Sequence, residues 1–167
     1  IRPVASHASS PPLGTMAQLM RGIFFPSSNM IFNVQGADPG APKAAYEPTD
    51  NPSFSWVDWG GGIYSGWELV DYASVSLADA AQLMLIPRRC ENGKPAPVER
   101  EDWIQFTSGL EDAGRAAYVA SQSRNQDAVI EATNQLADAC LACHDVYRDK
   151  PGGTPADPSN KAARCVP

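Results

Sequence analysis

The sequence predicts an all-α chain: a four-helix bundle with one long connection between the first and second helices and an irregular C-terminal tail. Apolar residues recur every three or four positions in four separate stretches, which is the period of an amphipathic helix. No stretch alternates apolar and polar residues with the two-residue period of a strand. The other connections between helices are short, as in a bundle of antiparallel helices.

The chain divides into an arm, one domain and a tail. Residues 1–12 are rich in Ser and Pro and have no period, so we expect an extended arm. Residues 13–150 form the helical domain, since a chain of 167 residues is about one domain long. Residues 151–167 begin with Pro-Gly-Gly, which ends a helix, and form the tail.

The first two helices lie on either side of the long connection. The first is predicted over residues 13–35, and Pro26 kinks or divides it because proline lacks an N–H and crowds the preceding turn. The second is predicted over about residues 63–86 and is ended by Pro87. The loop over residues 37–62 is long for a compact domain, so we expect it to pack on the bundle, cover a site or dock a partner. Its aromatic residues include Tyr46, Trp56 and Trp59.

The third helix is predicted from about Val98 and the fourth over about residues 125–148. Acidic residues in the first turn of the third helix suit the positive end of the helix dipole, so we interpret them as a helix start and not as catalytic carboxylates. These residues are Glu99, Glu101 and Asp102. The apolar stripe of the third helix is Trp103, Phe106, Leu110, Ala113, Ala117 and Ala120. The stripe of the fourth is Val129, Thr133, Leu136, Cys140, and Cys143 or His144.

The charge balance limits the partners. The formal net charge is −6 and the pI is near 4.8. Nucleic acid and an anionic membrane surface both require a basic patch, so we expect neither as the main partner. No apolar run is long enough to span a membrane. The chain opens at Ile1 without Met, which we interpret as a leader already removed.

Two of the four cysteines stand together in the run Cys140-Leu-Ala-Cys143-His144. A C-x-x-C-H run is the attachment signature of c-type haem. On a helix these side chains occupy positions i, i+3 and i+4 and project from one face. Two sulfurs can then form thioether bonds to one haem while the imidazole reaches its iron. Tyr147 continues this face, and Arg148, at the helix end, is a candidate partner for a haem propionate.

The residues alone leave two other uses of the motif open. A zinc site would use the same cysteines with two further ligands, for which His144, Cys90 and Cys165 are the candidates, but the usual second paired knuckle is missing. A thioredoxin-type dithiol would follow a strand and open a helix, whereas this motif closes a helix. We therefore expect one covalent haem c.

Two segments resemble one known family. Residues 140–148 resemble the C-x-x-C-H-x-x-[Phe/Tyr]-Arg signature of class II cytochromes c, the cytochrome c′ type. Residues 18–28 (Gln-Leu-Met-Arg-Gly-Ile-Phe-Phe-Pro-Ser-Ser) are similar to the first helix of the same family. The resemblance covers roughly residues 13–36 and 63–149, and it leaves out the long loop and the tail.

The resemblance implies where the iron ligands lie. In that family the haem helix is the last of four, and the first helix lies across the haem from it. His144 is then the proximal ligand. Met20 is the candidate distal ligand because it matches the Leu-Met-basic pattern of low-spin relatives, and Met16 is its rival. Both methionines could instead fill the core only. Arg21 is a further propionate candidate or a solvated surface residue.

The remaining cysteines predict a disulfide. Haem is attached to C-x-x-C-H outside the bacterial cytoplasm, in a compartment that also permits disulfides. We therefore expect a periplasmic protein in which Cys90 and Cys165 are bridged, so that the tail is held against the loop between the second and third helices.

Family members transfer electrons or bind small gases, and we favour electron transfer without enzymatic activity. A soluble carrier with this acidic surface would suit a redox partner with a basic docking patch. A five-coordinate cytochrome c′ that binds NO or CO is the alternative. A haem subunit of a larger complex and a homodimer also stay open. A haem peroxidase is a weaker hypothesis, since His7 is the only histidine besides His144.

Overall fold

The computed structural model describes residues 11–42, 63–148 and 164–165. These residues are mostly helical, and the only β-type pairing among them is an isolated bridge between Arg89 and Pro95. The all-α prediction is therefore confirmed. Much of the arm, most of the long loop and most of the tail lie outside the described residues. So do the positions of His7, Tyr46, Trp56 and Trp59.

The first helical segment changes its hydrogen-bonding pattern several times. Thr15 begins it with a capping box, in which its hydroxyl accepts from the backbone N–H of Gln18 and the Gln18 side chain accepts in return. Gly36 follows the last turn, so the segment ends at Gln35, where the sequence places its end. In order, the elements are α1 (Met16–Leu19), a π-helical turn (Met20–Phe24), α2 (Phe25–Phe32) and a 3₁₀ turn (Asn33–Gln35).

Pro26 interrupts the first helical segment by producing the π turn that precedes it. The N–H of Phe25 donates to the carbonyl of Met20, five residues back. Pro26 has no N–H to offer to the carbonyl of Gly22, so the α-helical ladder is interrupted there and the preceding turn widens. The predicted division of the helix is thus a local widening just before the proline.

Three longer helices follow. They are α3 (Gly66–Ala81), continued by a 3₁₀ turn (Gln82–Leu85), α4 (Glu101–Gln122) and α5 (Gln126–Tyr147). Helix α4 begins later than the predicted Val98, because Arg100 has an extended backbone (ψ 138°) and caps the helix instead of belonging to it. Asn125 caps α5 by accepting from the N–H of Ala128.

The helices pack against one another around a common apolar core. Helix α2 contacts α3 and α5, and α4 contacts the same two helices. Trp103 is 1% exposed, and its indole Nε1 donates to the carbonyl of Met84 over 3.0 Å. Gln35 donates to the hydroxyl of Thr133 on α5 over 2.6 Å, which ties the end of the first segment to the last helix. The packing brings the first segment and the end of α5 to the same cavity.

Candidate functional site

A cavity of about 420 Å³ lies between the first helical segment, α4 and the end of α5. This volume is within the range of small-molecule and cofactor sites. Its walls are mostly apolar, with Ala17 and Phe24 from the first segment and Leu110 from α4. Trp103 and Phe106 also line it, from the face of α4 that the sequence predicts as its apolar stripe.

All three residues of the motif line this cavity. Helix α5 places Cys140, Cys143 and His144 on one face, as their spacing predicts. Cys143 is 9% exposed, while Cys140 and His144 are half-buried. Neither sulfur is in a disulfide. The helix therefore presents two thiols and one imidazole to a single apolar space.

Burial also determines the protonation state of the two thiols. It raises the pKa of Cys143 to about 12 and raises the pKa of Cys140 above its usual range, although Arg148 opposes the second effect. Both groups are thus protonated near neutral pH, which is unlike a reactive redox thiolate. Among residues 11–42, 63–148 and 164–165, no group of three or more His, Cys, Asp or Glu side chains could hold a metal ion by itself.

Two methionines from the first segment face the same cavity. Met16 is 4% exposed and belongs to the core, whereas Met20 is half-buried and opens the π turn. The structure thus brings both candidate ligands, Met16 and Met20, to the cavity, and their presence in its lining does not by itself favour one over the other. π turns within helices are frequent at functional sites.

Charged side chains also line the cavity. Arg21 and Arg148, both named from the sequence, line it together with Glu91 and Arg164, which the sequence did not reveal. The carboxylate of Glu91 lies 3.3 Å from Nη1 of Arg21 and 2.8 Å from Nε of Arg164. Their sequence positions offer one signal, because each of the two missed residues is adjacent to a cysteine of the predicted disulfide.

The structure brings Cys90 and Cys165 to disulfide distance, with Cα atoms 5.6 Å apart. Cys90 is 1% exposed, and Cys165 lines the cavity. The backbone N–H of Cys165 donates to the carbonyl of Tyr147, and that of Met16 donates to the carbonyl of Arg89 over 2.8 Å. The cysteine pair therefore lies where the tail, the start of the first helix and the end of α5 meet.

Tyr147 lines the cavity and is itself anchored to α4. Its hydroxyl donates to Oδ1 of Asp102 over 2.8 Å, and its ring packs edge-on against Trp103 with centroids 4.8 Å apart. Arg100 donates two hydrogen bonds of 3.0 Å to the same carboxylate. These bonds from Arg100, and then that from Tyr147, lower the pKa of Asp102 to about 2. Burial and the nearby carboxylate raise the pKa of Tyr147 to about 12, so its hydroxyl keeps its proton.

Comparisons of the chain with protein-family models, with curated proteins and with solved structures found no significant match. In the described part of the chain, no helix is both long and apolar enough to cross a bilayer.

Proposed function

We propose that the chain is a monohaem c-type cytochrome, similar to class II cytochromes c, in which the helices form a four-helix bundle. The helix contacts support this arrangement, because α2 and α4 each pack on both α3 and α5. In this proposal the first helical segment, interrupted by its π turn, is the first helix of the bundle, and α5 is the helix that carries the haem.

One observation carries the proposal: two thiols and one imidazole line the same apolar cavity, and arginines lie in its lining. Haem is a flat, largely apolar ring that carries two carboxylates, and the lining of the cavity matches both features. The apolar walls suit the ring, and Arg21 and Arg148 are candidate partners for its propionates. The sulfurs of Cys140 and Cys143 are not in a disulfide, so both thiols are available for attachment.

The chain's own residues then have distinct roles. Haem, when bound, supplies an iron that gains and loses one electron. Cys140 and Cys143 would hold the ring through thioether bonds, and His144 would bind its iron. Met20 is favoured over Met16 as the distal ligand, since Met16 is more deeply placed in the core. A His/Met pair raises the reduction potential, and the apolar wall from Ala17 and Phe24 limits water at the site.

Electron transfer between proteins, without enzymatic activity, is the function we propose. The net charge of −6 favours a redox partner with a basic docking patch, and the encounter rate should then fall as salt is added. We place the protein in the periplasm, because haem attachment to this motif and a Cys90–Cys165 bridge both belong to that compartment.

Gas binding is the second candidate. The cavity lining near Met20 is apolar, with Ala17 and Phe24 beside it, which would suit NO or CO if the methionine leaves the sixth position open. An absorption spectrum of the reduced protein with and without CO separates the two functions. A low-spin spectrum unchanged by CO supports the electron carrier, whereas a high-spin spectrum that CO shifts supports gas binding.

The proposal is tested by expressing the chain with an export leader in cells that mature c-type cytochromes. We expect a coloured protein whose mass exceeds the 17.9 kDa polypeptide by one haem, with the thioether-type haemochrome spectrum in alkaline pyridine. The double variant Cys140→Ala/Cys143→Ala should lose covalent haem, while the matched double variant Cys90→Ser/Cys165→Ser should keep it. A colourless wild-type protein with the mass of the bare polypeptide would refute the proposal.

A further inference from the structure

Contacts of Arg164 and of the adjacent Cys165 hold this part of the tail beside the cavity. The carbonyl of Arg164 accepts a hydrogen bond from Nδ2 of Asn92 over 3.0 Å, and the next residue is Cys165, whose sulfur lies at disulfide distance from Cys90. The N–H of Cys165 also donates to the carbonyl of Tyr147, the last residue of α5. Three separate contacts thus fix a tail residue at the site.

The side chain of Arg164 is largely buried, which is uncommon for an arginine. Its side chain is 18% exposed, and its Nε atom is fully buried. That Nε lies 2.8 Å from Oε2 of Glu91, which is ion-pair distance, yet within the described residues neither atom makes a hydrogen bond of acceptable geometry. Arg164 is thus a largely buried cation whose ion pair with Glu91 uses its Nε.

Positive charges outnumber negative ones in the described cavity lining, with Arg21, Arg148 and Arg164 against Glu91. Glu91 is the only carboxylate among the described residues that line the cavity, and it is shared between Arg21 and Arg164. A guanidinium offers five donors in a planar fork that matches a carboxylate, so one shared carboxylate leaves donors of both arginines available. The remaining donors suit an anion with acceptor oxygens, carried by a ligand whose body is apolar enough for the cavity.

We propose that Arg164 binds a propionate carboxylate of the haem, and that the Cys90–Cys165 bridge positions it to do so. The inference rests on the proposed function, since it assigns a residue to the cofactor named there. It adds a contact from the tail, which the family resemblance does not cover. The bridge then has a role at the site besides its effect on stability.

The first test is the equilibrium between reduced and oxidised protein at a fixed applied potential. A cation near the haem disfavours the oxidised state, which carries one more positive charge. Arg164→Gln should therefore lower the ratio of reduced to oxidised protein by about ten- to twentyfold, the effect of a unit charge about 10 Å away at an effective dielectric constant of about 20. Arg164→Lys keeps the positive charge, so its ratio should stay close to that of the wild type. Glu91→Gln removes a negative charge, so it should raise the ratio.

A matched control and a vibrational spectrum exclude a general electrostatic effect. Arg115→Gln removes an equal charge from α4, where Arg115 pairs with Glu111 away from the cavity lining, and should leave the ratio almost unchanged. The resonance Raman band of propionate bending should shift in Arg164→Gln and not in Arg115→Gln. An Arg164→Gln variant that matches the Arg115→Gln control in both measurements overturns the proposal.

The second test asks whether the bridge positions Arg164. Cys90→Ser/Cys165→Ser should shift the ratio in the same direction as Arg164→Gln but by less, because the charge of Arg164 remains, and Arg164→Gln should then add less than it does in the wild type. A full additional shift in that background overturns the positioning role. Absence of haem from the wild-type protein would instead refute the proposed function, so the two failures are distinguishable.

Discussion

Asp102 is the residue through which the motif helix is joined to the start of α4. Its carboxylate accepts hydrogen bonds from Arg100, from the N–H of Trp103 and from the hydroxyl of Tyr147. Tyr147 is one turn beyond Cys143, so this contact fixes the end of the helix that carries the thiols and the imidazole. The sequence predicts Asp102 only as a favourable charge in a first turn, because its bond to Tyr147 joins residues 45 positions apart.

Asp102→Asn should change how stability depends on pH. The folded-state pKa of about 2 lies below the ordinary value of about 3.9, so the carboxylate stabilises the fold above about pH 4 and loses this effect as the pH falls toward 2. We expect the variant to be less stable than the wild type at neutral pH and to lose less stability over that acidic window. Thermal midpoints measured from pH 7 to pH 2 test this.

Asp112→Asn is the control for this measurement, because Asp112 is an exposed carboxylate on the same helix. Its midpoint should follow the wild-type curve. If the wild type and Asp102→Asn lose stability equally between about pH 4 and pH 2, the role given to this carboxylate is wrong.

The two methionines of the cavity should respond differently to truncation. If Met20 is the sixth ligand, Met20→Ala converts a low-spin spectrum to a high-spin one that CO shifts. Met16→Ala should keep the low-spin spectrum but lower the free energy of unfolding by about 2–5 kcal/mol, because Met16 is 4% exposed. Met30→Ala is the control, since Met30 packs against the core without lining the cavity. Loss of the low-spin spectrum in Met16→Ala alone would reassign the ligand.

At the scale of elements, local signals located the helices well and their exact ends less well. Each helix is predicted from signals that lie within a few positions of one another: its capping residues, its apolar period and breakers such as Pro26. The existence of each helix therefore follows from its own segment. The first turn of α4 shows the limit. The sequence predicts a start near Val98, but the backbone of Arg100 is still extended, and the helix starts only at Glu101.

The glycines of α4 give a matched pair of substitutions. A Cβ on Gly114 would lie 2.7 Å from the backbone nitrogen of Ala78 on α3, so Gly114→Ala must push the two helices apart and should destabilise the protein by about 1–3 kcal/mol. A Cβ on Gly109 meets nothing within 4 Å, so Gly109→Ala should stabilise it by about 0.5–1 kcal/mol through helix propensity. Denaturant unfolding measures both. Effects of the same sign would contradict the close approach of α3 and α4.

At the scale of the whole molecule, the site combines what the sequence shows with what it does not. Cys140, Cys143 and His144 share a face because helix geometry alone requires it, and that part was predictable. The contacts of Glu91 with Arg21 and Arg164 join segments about 70 residues apart, and no local pattern specifies them. The predicted Cys90–Cys165 pair is a long-range constraint that the sequence offered, and the unpredicted charges lie next to it.

Breaking the bridge between Cys90 and Cys165 should lower the free energy of unfolding by about 4 kcal/mol, because a sequence separation of 75 residues closes a long loop in the unfolded chain. Guanidinium unfolding with and without a thiol reductant measures this, since thioether bonds are not reduced. Cys90→Ser/Cys165→Ser should unfold at the midpoint of the reduced wild type and should not respond to the reductant. A wild-type midpoint that the reductant leaves unchanged would mean that the two sulfurs are not bonded in solution. In that case residues 164 and 165 would be held only by the hydrogen bonds from Asn92 and to Tyr147, without a covalent bond.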